Sequence, residues 1–87
     1  MMQDEAIYAA LMPIFEDVFM RDDIVLAPEL SAKDVAGWDS FKQIEIIIAV
    51  ESQFGFKFHT RELDSLRNVG DLVRVVREKN SARVVLT

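Results

Sequence analysis

One serine in this chain stands in a setting that could support chemistry on its hydroxyl group. Ser40 follows Asp39 directly and precedes a strongly apolar segment that extends to Phe54. No second residue with obvious catalytic chemistry lies close to Ser40 in the sequence. A single serine presented beside an acid, at the start of an apolar helix, favours a residue that is modified over a residue that catalyses.

Ser40 also has a purely structural interpretation. Ser40 and Gln43 fit the capping-box pattern, in which a serine caps a backbone N–H and the side chain three residues later reaches back. Asp39 is the alternative N-cap, because the helix dipole favours its charge. A nucleophilic serine would need a general base and an oxyanion hole. The only histidine, His59, is distant in sequence and no glycine-rich turn frames Ser40, so we expect no catalytic residue and no enzymatic activity.

The composition limits the classes of protein to consider. The 87 residues suffice for one domain with a modest core, and 51% of them are hydrophobic, which is typical of a folded chain. The net charge of −5 argues against nucleic acid, which requires a basic face. The chain has no cysteine, which excludes disulfides, thiolate metal sites and thiol nucleophiles. Acidic pairs such as Asp22-Asp23 lack the spacing of a calcium loop, so we predict no metal site.

The sequence also predicts where the protein resides. Its first residues, Met1 to Glu5, lack the apolar core of a signal peptide. No apolar run approaches the length of about 18 residues that a membrane span needs. We therefore expect a cytoplasmic monomer that does not insert into membranes.

The spacing of apolar residues predicts the first helix and the connection that follows it. Apolar positions recur every three or four residues from Asp4 to about Met20. Pro13 is expected to kink this helix near Leu11–Met12 or to restart it. A long connection from Arg21 to Trp38 follows. Its segment from Ser31 to Asp34 could form a single helical turn, and we expect four of its apolar residues to anchor it to the core: Ile24, Leu26, Leu30 and Val35.

Three further helices complete the predicted fold. The second runs from about Ser40 to Phe54 and ends at Gly55. The third is short, with Thr60 as its N-cap and its end at Ser65 or Leu66. Asn68 caps the fourth. The sequence therefore predicts an all-α fold, a small four-helix bundle with a long first loop and a short third helix, in which residues 1–80 form the domain and residues 81–87 a frayed or extended C-terminal tail.

The second helix carries apolar residues on two opposite faces. At about 100° per residue, one face carries the residues that we expect in the core: Ile46, Val50 and Phe54. The opposite face carries three more apolar residues and an acid: Phe41, Ile44, Glu45 and Ile48. Exposed apolar patches usually mark contact sites, so we predict that this outer face docks partners. The alternative is a central helix that is buried all round.

From Val35 to Leu72 the sequence closely resembles the acyl carrier protein family. The motif Gly37-Trp38-Asp39-Ser40 matches the Gly-x-Asp-Ser attachment motif of that family. The apolar helix after it, the exit at Glu51 to Gly55, the short helix from Thr60 and the opening Asn68-Val69-Gly70-Asp71-Leu72 match as well. The resemblance covers nearly the whole chain and implies a bundle of acyl-carrier type.

The resemblance implies specific roles. Ser40 would carry 4′-phosphopantetheine, donated from coenzyme A by a separate phosphopantetheinyl transferase (a holo-carrier synthase), and Asp39 would be an acid that this transferase reads. The thiol of the arm would hold acyl groups as thioesters. The start of a helix also favours the phosphodiester anion. The outer face of the second helix would then bind the transferase and the acyl-loading and acyl-transferring enzymes.

Four residues depart from the common pattern of the family. Phe41 stands where leucine or methionine is commoner, Lys42 adds a positive charge, and Ser52 and Gln53 replace acids. These departures favour a dedicated lipid or secondary-metabolite pathway over housekeeping fatty acid synthesis. The rival hypothesis is a cofactor-free helical module, whose outer face binds a partner helix or groove and which does not need Ser40.

Overall fold

In the computed structural model, residues 3–85 are described, with side chains only as far as Asn80. This part of the chain forms four α-helices: α1 (Asp4–Phe19), α2 (Ser40–Phe54), α3 (Thr60–Asp64) and α4 (Val69–Val85). Helix α1 packs against both α2 and α4. The predicted all-α bundle with a long first loop and a short third helix is confirmed.

Helix α1 supplies one wall of the core. Its apolar stripe is buried as the spacing predicts: Ile7, Leu11, Ile14, Phe15 and Val18. The helix is continuous through Pro13, so it does not restart there. It ends at Met20, which has a left-handed backbone (φ 54°) and donates its N–H to the Glu16 carbonyl. That conformation usually belongs to a glycine, yet the helix ends where the spacing of its apolar residues predicts.

The long first loop is fixed to the core and to the start of α4. Of the four predicted anchors, two are buried and two are partly buried: Ile24, Val35, Leu26 and Leu30. The Val69 N–H donates to the Leu30 carbonyl (2.9 Å), and the Gly70 N–H donates to the Pro28 carbonyl (2.9 Å). A Cβ at Gly70 would lie 3.0 Å from that carbonyl oxygen, so the close approach of the loop favours glycine here.

The segment from Ser31 to Asp34, predicted as a possible helical turn, takes a simpler form. The Asp34 N–H donates to the Ser31 carbonyl at 2.9 Å, and the Asp34 carboxylate accepts the Ser31 N–H at 3.0 Å. These bonds make a single hydrogen-bonded turn in place of a turn of helix. The loop therefore holds its shape through short-range bonds and apolar anchors.

Helix α4 begins as predicted but ends later. The Asn68 side chain accepts the N–H of Asp71 at 2.9 Å and so caps the helix. Five of its apolar residues are buried in the core: Val69, Leu72, Val73, Val75 and Val76. The helix continues to Val85, so the expectation of a frayed or extended tail is wrong for residues 81–85. No glycine or proline ends the helix there, and its backbone bonds need no apolar stripe to continue. Leu86 and Thr87 lie outside the described residues, and the division at residue 80 stays a prediction.

Candidate functional site

The start of α2 presents the Ser40 hydroxyl to solvent. Asp39 is the N-cap, because its Oδ1 accepts the N–H of Lys42 at 3.0 Å. Ser40 is therefore the first residue of the helix, and its side chain is not needed as a cap. Among the described side chains and backbone groups, none makes a hydrogen bond with the Ser40 hydroxyl. The turn before it depends on Gly37, whose φ of 86° is left-handed.

Two other serines differ from Ser40 in this respect. The Ser31 hydroxyl donates to the Asp34 carboxylate (3.2 Å), and the Ser65 hydroxyl donates to the Glu62 carbonyl (2.8 Å). Both hydroxyls are committed to holding local turns. Ser40 is exposed and free of such a bond, which suits a residue that an incoming enzyme must reach.

The predicted capping box between Ser40 and Gln43 does not form. The Gln43 side-chain oxygen instead accepts the indole N–H of Trp38 at 2.7 Å. The Trp38 ring packs edge-on against Phe15, with ring centroids 5.6 Å apart, and against Phe19 at 5.8 Å. The residue before the Asp-Ser pair thereby links the start of α2 to α1.

An open cavity of about 560 Å³ adjoins Ser40. Residues from the first loop, α2, α3 and the start of α4 line it: Ala32, Trp38, Asp39, Ser40, Gln43, Ile44, Ile46, Leu63, Leu66, Arg67, Asn68, Val69 and Leu72. Its most buried lining residues are apolar, with Ile46 and Val69 each 1% exposed and Leu72 5% exposed. The volume falls within the range of about 300–1,000 Å³ that small-ligand sites occupy. An apolar group attached near Ser40 therefore has space beside it.

A cation is held at one side of this cavity. Arg67 donates to the Asp71 carboxylate through its backbone N–H (3.1 Å) and its Nε (3.2 Å). Burial raises the pKa of Asp71, but the bonds from Arg67 and the charge of Arg74 outweigh it and hold that pKa below its ordinary value. Asp71 is therefore ionised at neutral pH, and it fixes the position of Arg67.

Helix α3, which forms another side of the cavity, is held by one carboxylate. Glu62 accepts the backbone N–H of His59 at 2.7 Å and an ion pair from Lys79 on α4 at 3.0 Å. Burial raises the pKa of Glu62, but these two contacts lower it by more. The pKa of Glu62 therefore lies below its ordinary value. The N-cap of α3 is His59 and not Thr60 as predicted. The prediction was wrong by one residue because it relied on the capping preference of threonine.

The two faces of α2 are divided as the sequence predicts. The inner residues Ile46, Val50 and Phe54 are 1%, 0% and 8% exposed. The outer residues Phe41, Ile44 and Ile48 are 78%, 57% and 60% exposed, and Glu45 is exposed beside them. The alternative of a helix buried all round is therefore wrong. Leu63 of α3, which is 39% exposed and lines the same cavity as Ile44, adds to the exposed apolar surface.

The two acids of α2, Glu45 and Glu51, have different surroundings. The Lys42 ammonium lies 3.5 Å from the Glu45 carboxylate. The side chain of Glu51 is only 17% exposed, and its carboxylate accepts the N–H of Phe58 at 2.9 Å. The outer face therefore presents a paired acid at Glu45, whereas Glu51 is used to fix the segment after α2.

The structure brings together residues that the sequence did not connect. Asp39, Ser40 and Ile44 share the cavity with ten residues that were not predicted as part of the site, among them Trp38, Gln43, Leu63, Leu66 and Arg67. The sequence offers only one weak indication of these residues, namely that Trp38 stands five residues before Gln43, the residue to which it is bonded. His59 is not among the residues that line the cavity. Within the described part of the chain, no cluster of acids and histidine could hold a metal ion, and no helix is long and apolar enough to cross a membrane.

Comparisons with known proteins agree on one family. A family model described as a phosphopantetheine attachment site matches residues 9–76. The meromycolate extension acyl carrier protein of Mycolicibacterium smegmatis is 34% identical over 74 residues, which cover 85% of this chain and 75% of that protein. The meromycolate extension acyl carrier proteins of two Mycobacterium tuberculosis strains are longer, and the match spans 64% of their length. The acyl carrier protein of Helicobacter pylori is 28% identical, and the match covers 82% of this chain and all (100%) of that protein.

A solved structure has the same arrangement of helices. The solution structure of a holo acyl carrier protein from Geobacter metallireducens superimposes with a TM-score of 0.83, and it is 42% identical over 88% of each chain. The match to the phosphopantetheine attachment model covers the Asp-Ser pair and the helices around it. This chain belongs to the acyl carrier protein family, whose members are carriers rather than catalysts and use a covalent 4′-phosphopantetheine group.

Proposed function

We propose that Ser40 is the residue that carries 4′-phosphopantetheine. The observation that supports this most directly is its exposed hydroxyl, free of internal hydrogen bonds, at the first residue of α2 and on the wall of the cavity. A phosphodiester at this position lies at a helix start, where the dipole favours negative charge. Asp39 supports the site by capping α2 through Lys42, and its exposed position beside Ser40 makes it the acid that a transferase reads.

The modification requires little of this chain. The Ser40 oxygen forms a bond to the phosphorus that bears the pantetheine, the diphosphate bond of coenzyme A breaks, and adenosine bisphosphate leaves. We assign the general base to the separate transferase, because the carboxylate of the neighbouring Asp39 is engaged in capping α2 through the Lys42 N–H. When attached, the arm supplies the thiol that holds acyl groups as thioesters. The chain itself has no cysteine, so no thiol of its own competes for them.

The outer face of α2 is proposed as the docking surface for the enzymes that load and transfer the acyl group. Phe41, Ile44 and Ile48 form an exposed apolar surface next to the attachment residue, and Glu45 gives it a charged edge. When no enzyme is bound, a tethered acyl chain could bury its apolar surface in the adjoining cavity. A cytoplasmic location and a monomeric state, as predicted from the sequence, belong to the same proposal.

Intact mass spectrometry tests this function. Purified protein incubated with coenzyme A and a broad-specificity phosphopantetheinyl transferase should gain the mass of one phosphopantetheine. Peptide mapping should place it on Ser40. A protein that several transferases leave unmodified would contradict the carrier function and favour the cofactor-free interaction module.

We also propose that this carrier serves a dedicated pathway. Several mycobacterial relatives are named for meromycolate extension. On α2 of this chain the exposed acid Glu45 is paired with Lys42, and Glu51 is turned inward. A partner surface tuned to a more acidic helix would therefore meet repulsion at Lys42 and find little attraction elsewhere.

A charge substitution tests the pathway proposal. The holo protein should be a poor substrate for housekeeping fatty-acid-synthesis enzymes, and Lys42→Glu with Ser52→Glu should improve it about tenfold, since each exposed charge contact contributes about 0.2–1 kcal/mol. Initial rates of malonyl loading and elongation, at two salt concentrations, measure this. Lys33→Glu, which makes the same charge change at an exposed lysine of the first loop, is the control for the change at Lys42. Rates for the unmodified sequence equal to those of the host's ordinary carrier would contradict the proposal.

A further inference from the structure

The side-chain amide of Gln43 has a fixed orientation. An indole N–H can only donate a hydrogen bond, so the amide oxygen of Gln43 must be the atom that faces Trp38 at 2.7 Å. Trp38 is itself held between Phe15 and Phe19 of α1. The amide nitrogen of Gln43 therefore faces away from the indole ring. Within the described residues, no acceptor takes either of its two N–H groups.

Gln43 lies where a tethered group would enter the cavity. It stands one helical turn after Ser40, and both residues line the same cavity. Beyond them the wall is apolar, with Ile46, Val69 and Leu72 almost fully buried. A saturated acyl chain that entered would cover the N–H groups of Gln43 without offering an acceptor. A chain with an oxygen close to its thioester could accept them, and its apolar remainder would still contact the buried wall.

We propose that Gln43, oriented by Trp38, is a specificity-determining residue that favours acyl groups with a β-oxo or β-hydroxy oxygen over saturated acyl groups. This inference rests on the proposed attachment at Ser40. Sites that present a hydrogen-bond donor discriminate against analogues that lack the acceptor, because the donor is then desolvated without a partner. The expected preference is about tenfold, the factor that one hydrogen bond of ordinary net strength supplies.

The test compares two cargoes that differ by one hydroxyl group. A broad-specificity transferase loads the protein with octanoyl or β-hydroxyoctanoyl pantetheine from the corresponding coenzyme A thioester. The rate of thioester cleavage by hydroxylamine on the protein is divided by the rate for the same thioester on free pantetheine. This ratio corrects for the intrinsic reactivity of each thioester. Trp38 is the only tryptophan and lines the cavity, so its emission reports independently whether the cargo enters.

Two variants isolate the amide donors. Gln43→Glu keeps an oxygen for Trp38 but lacks the two N–H groups, and Gln43→Met lacks both. In the original sequence the β-hydroxy cargo should be protected about tenfold better than the saturated cargo and should shift the Trp38 emission more. Both variants should lose this difference. Gln53→Glu, which alters an exposed glutamine of the same helix, should retain it.

Three results would overturn the inference. Equal protection of the two cargoes in the original sequence contradicts it, as does a preference that persists in both Gln43 variants. The third is a Gln43 side-chain amide signal, in nuclear magnetic resonance spectra, that shifts fully in the holo protein without any acyl group. The acceptor would then be a carbonyl of the arm itself. Failure to load either cargo would instead contradict the proposed function, so the two failures are distinguishable.

Discussion

Ser40→Ala should abolish attachment of phosphopantetheine while leaving the fold intact. The hydroxyl oxygen is the atom to which the arm would be bonded, so its removal leaves nothing to modify. Asp39 rather than Ser40 caps α2, and the change should therefore alter the free energy of unfolding by no more than about 0.5 kcal/mol, as for other exposed positions. Intact mass after incubation with coenzyme A and a transferase measures attachment, and urea denaturation measures stability.

Ser52→Ala is the matched control for this experiment. Ser52 is an exposed serine on the same helix, and its replacement should leave the modification unchanged. Modification of Ser31, Ser52 or Ser65 in the Ser40→Ala protein would contradict the assignment of the attachment residue. A Ser40→Ala protein that retained every partner interaction and every cellular role would favour the cofactor-free module.

Ile46→Ala should destabilise the protein by about 2–5 kcal/mol, whereas Ile48→Ala should change its stability by no more than about 0.5 kcal/mol. The two substitutions are chemically identical and lie on one helix, so helix propensity affects both alike. They differ in burial, because Ile46 is 1% exposed and Ile48 is 60% exposed. A domain of this size is stable by about 4–13 kcal/mol, so the loss at Ile46 is a large part of the total. Urea denaturation curves of the two variants give the comparison.

The same pair separates the core from the proposed docking surface. Ile48→Ala should weaken transfer to and from partner enzymes although the fold persists, because an exposed apolar side chain contributes only to the complex. Phe54→Ala, at a position 8% exposed, should behave like Ile46→Ala and lose stability. The reverse ranking in the denaturation curves would mean that the inner and outer faces are exchanged. Full transfer activity of Ile48→Ala would contradict the docking assignment.

The sequence alone determined the features that depend on local rules. Apolar spacing identified α1, α2 and α4 and the division of α2 into two faces, because periodicity records which side of a helix meets the core. Gly55 ended α2 and Asn68 capped α4, since both signals arise from the backbone conformation of one residue. The Gly-x-Asp-Ser motif at the start of α2 was equally local, and it led to the correct family.

The tertiary structure decided everything that depends on distant segments meeting. The cavity beside Ser40 is lined by α2, α3 and the start of α4 together, and no short-range pattern encodes how these separate segments meet. The Glu51 carboxylate accepts the N–H of Phe58, seven residues later, because the chain folds back after Gly55. Likewise Gln43 fits a capping box in the sequence, but its side-chain oxygen accepts the indole N–H of Trp38, a ring that is held by packing on Phe15.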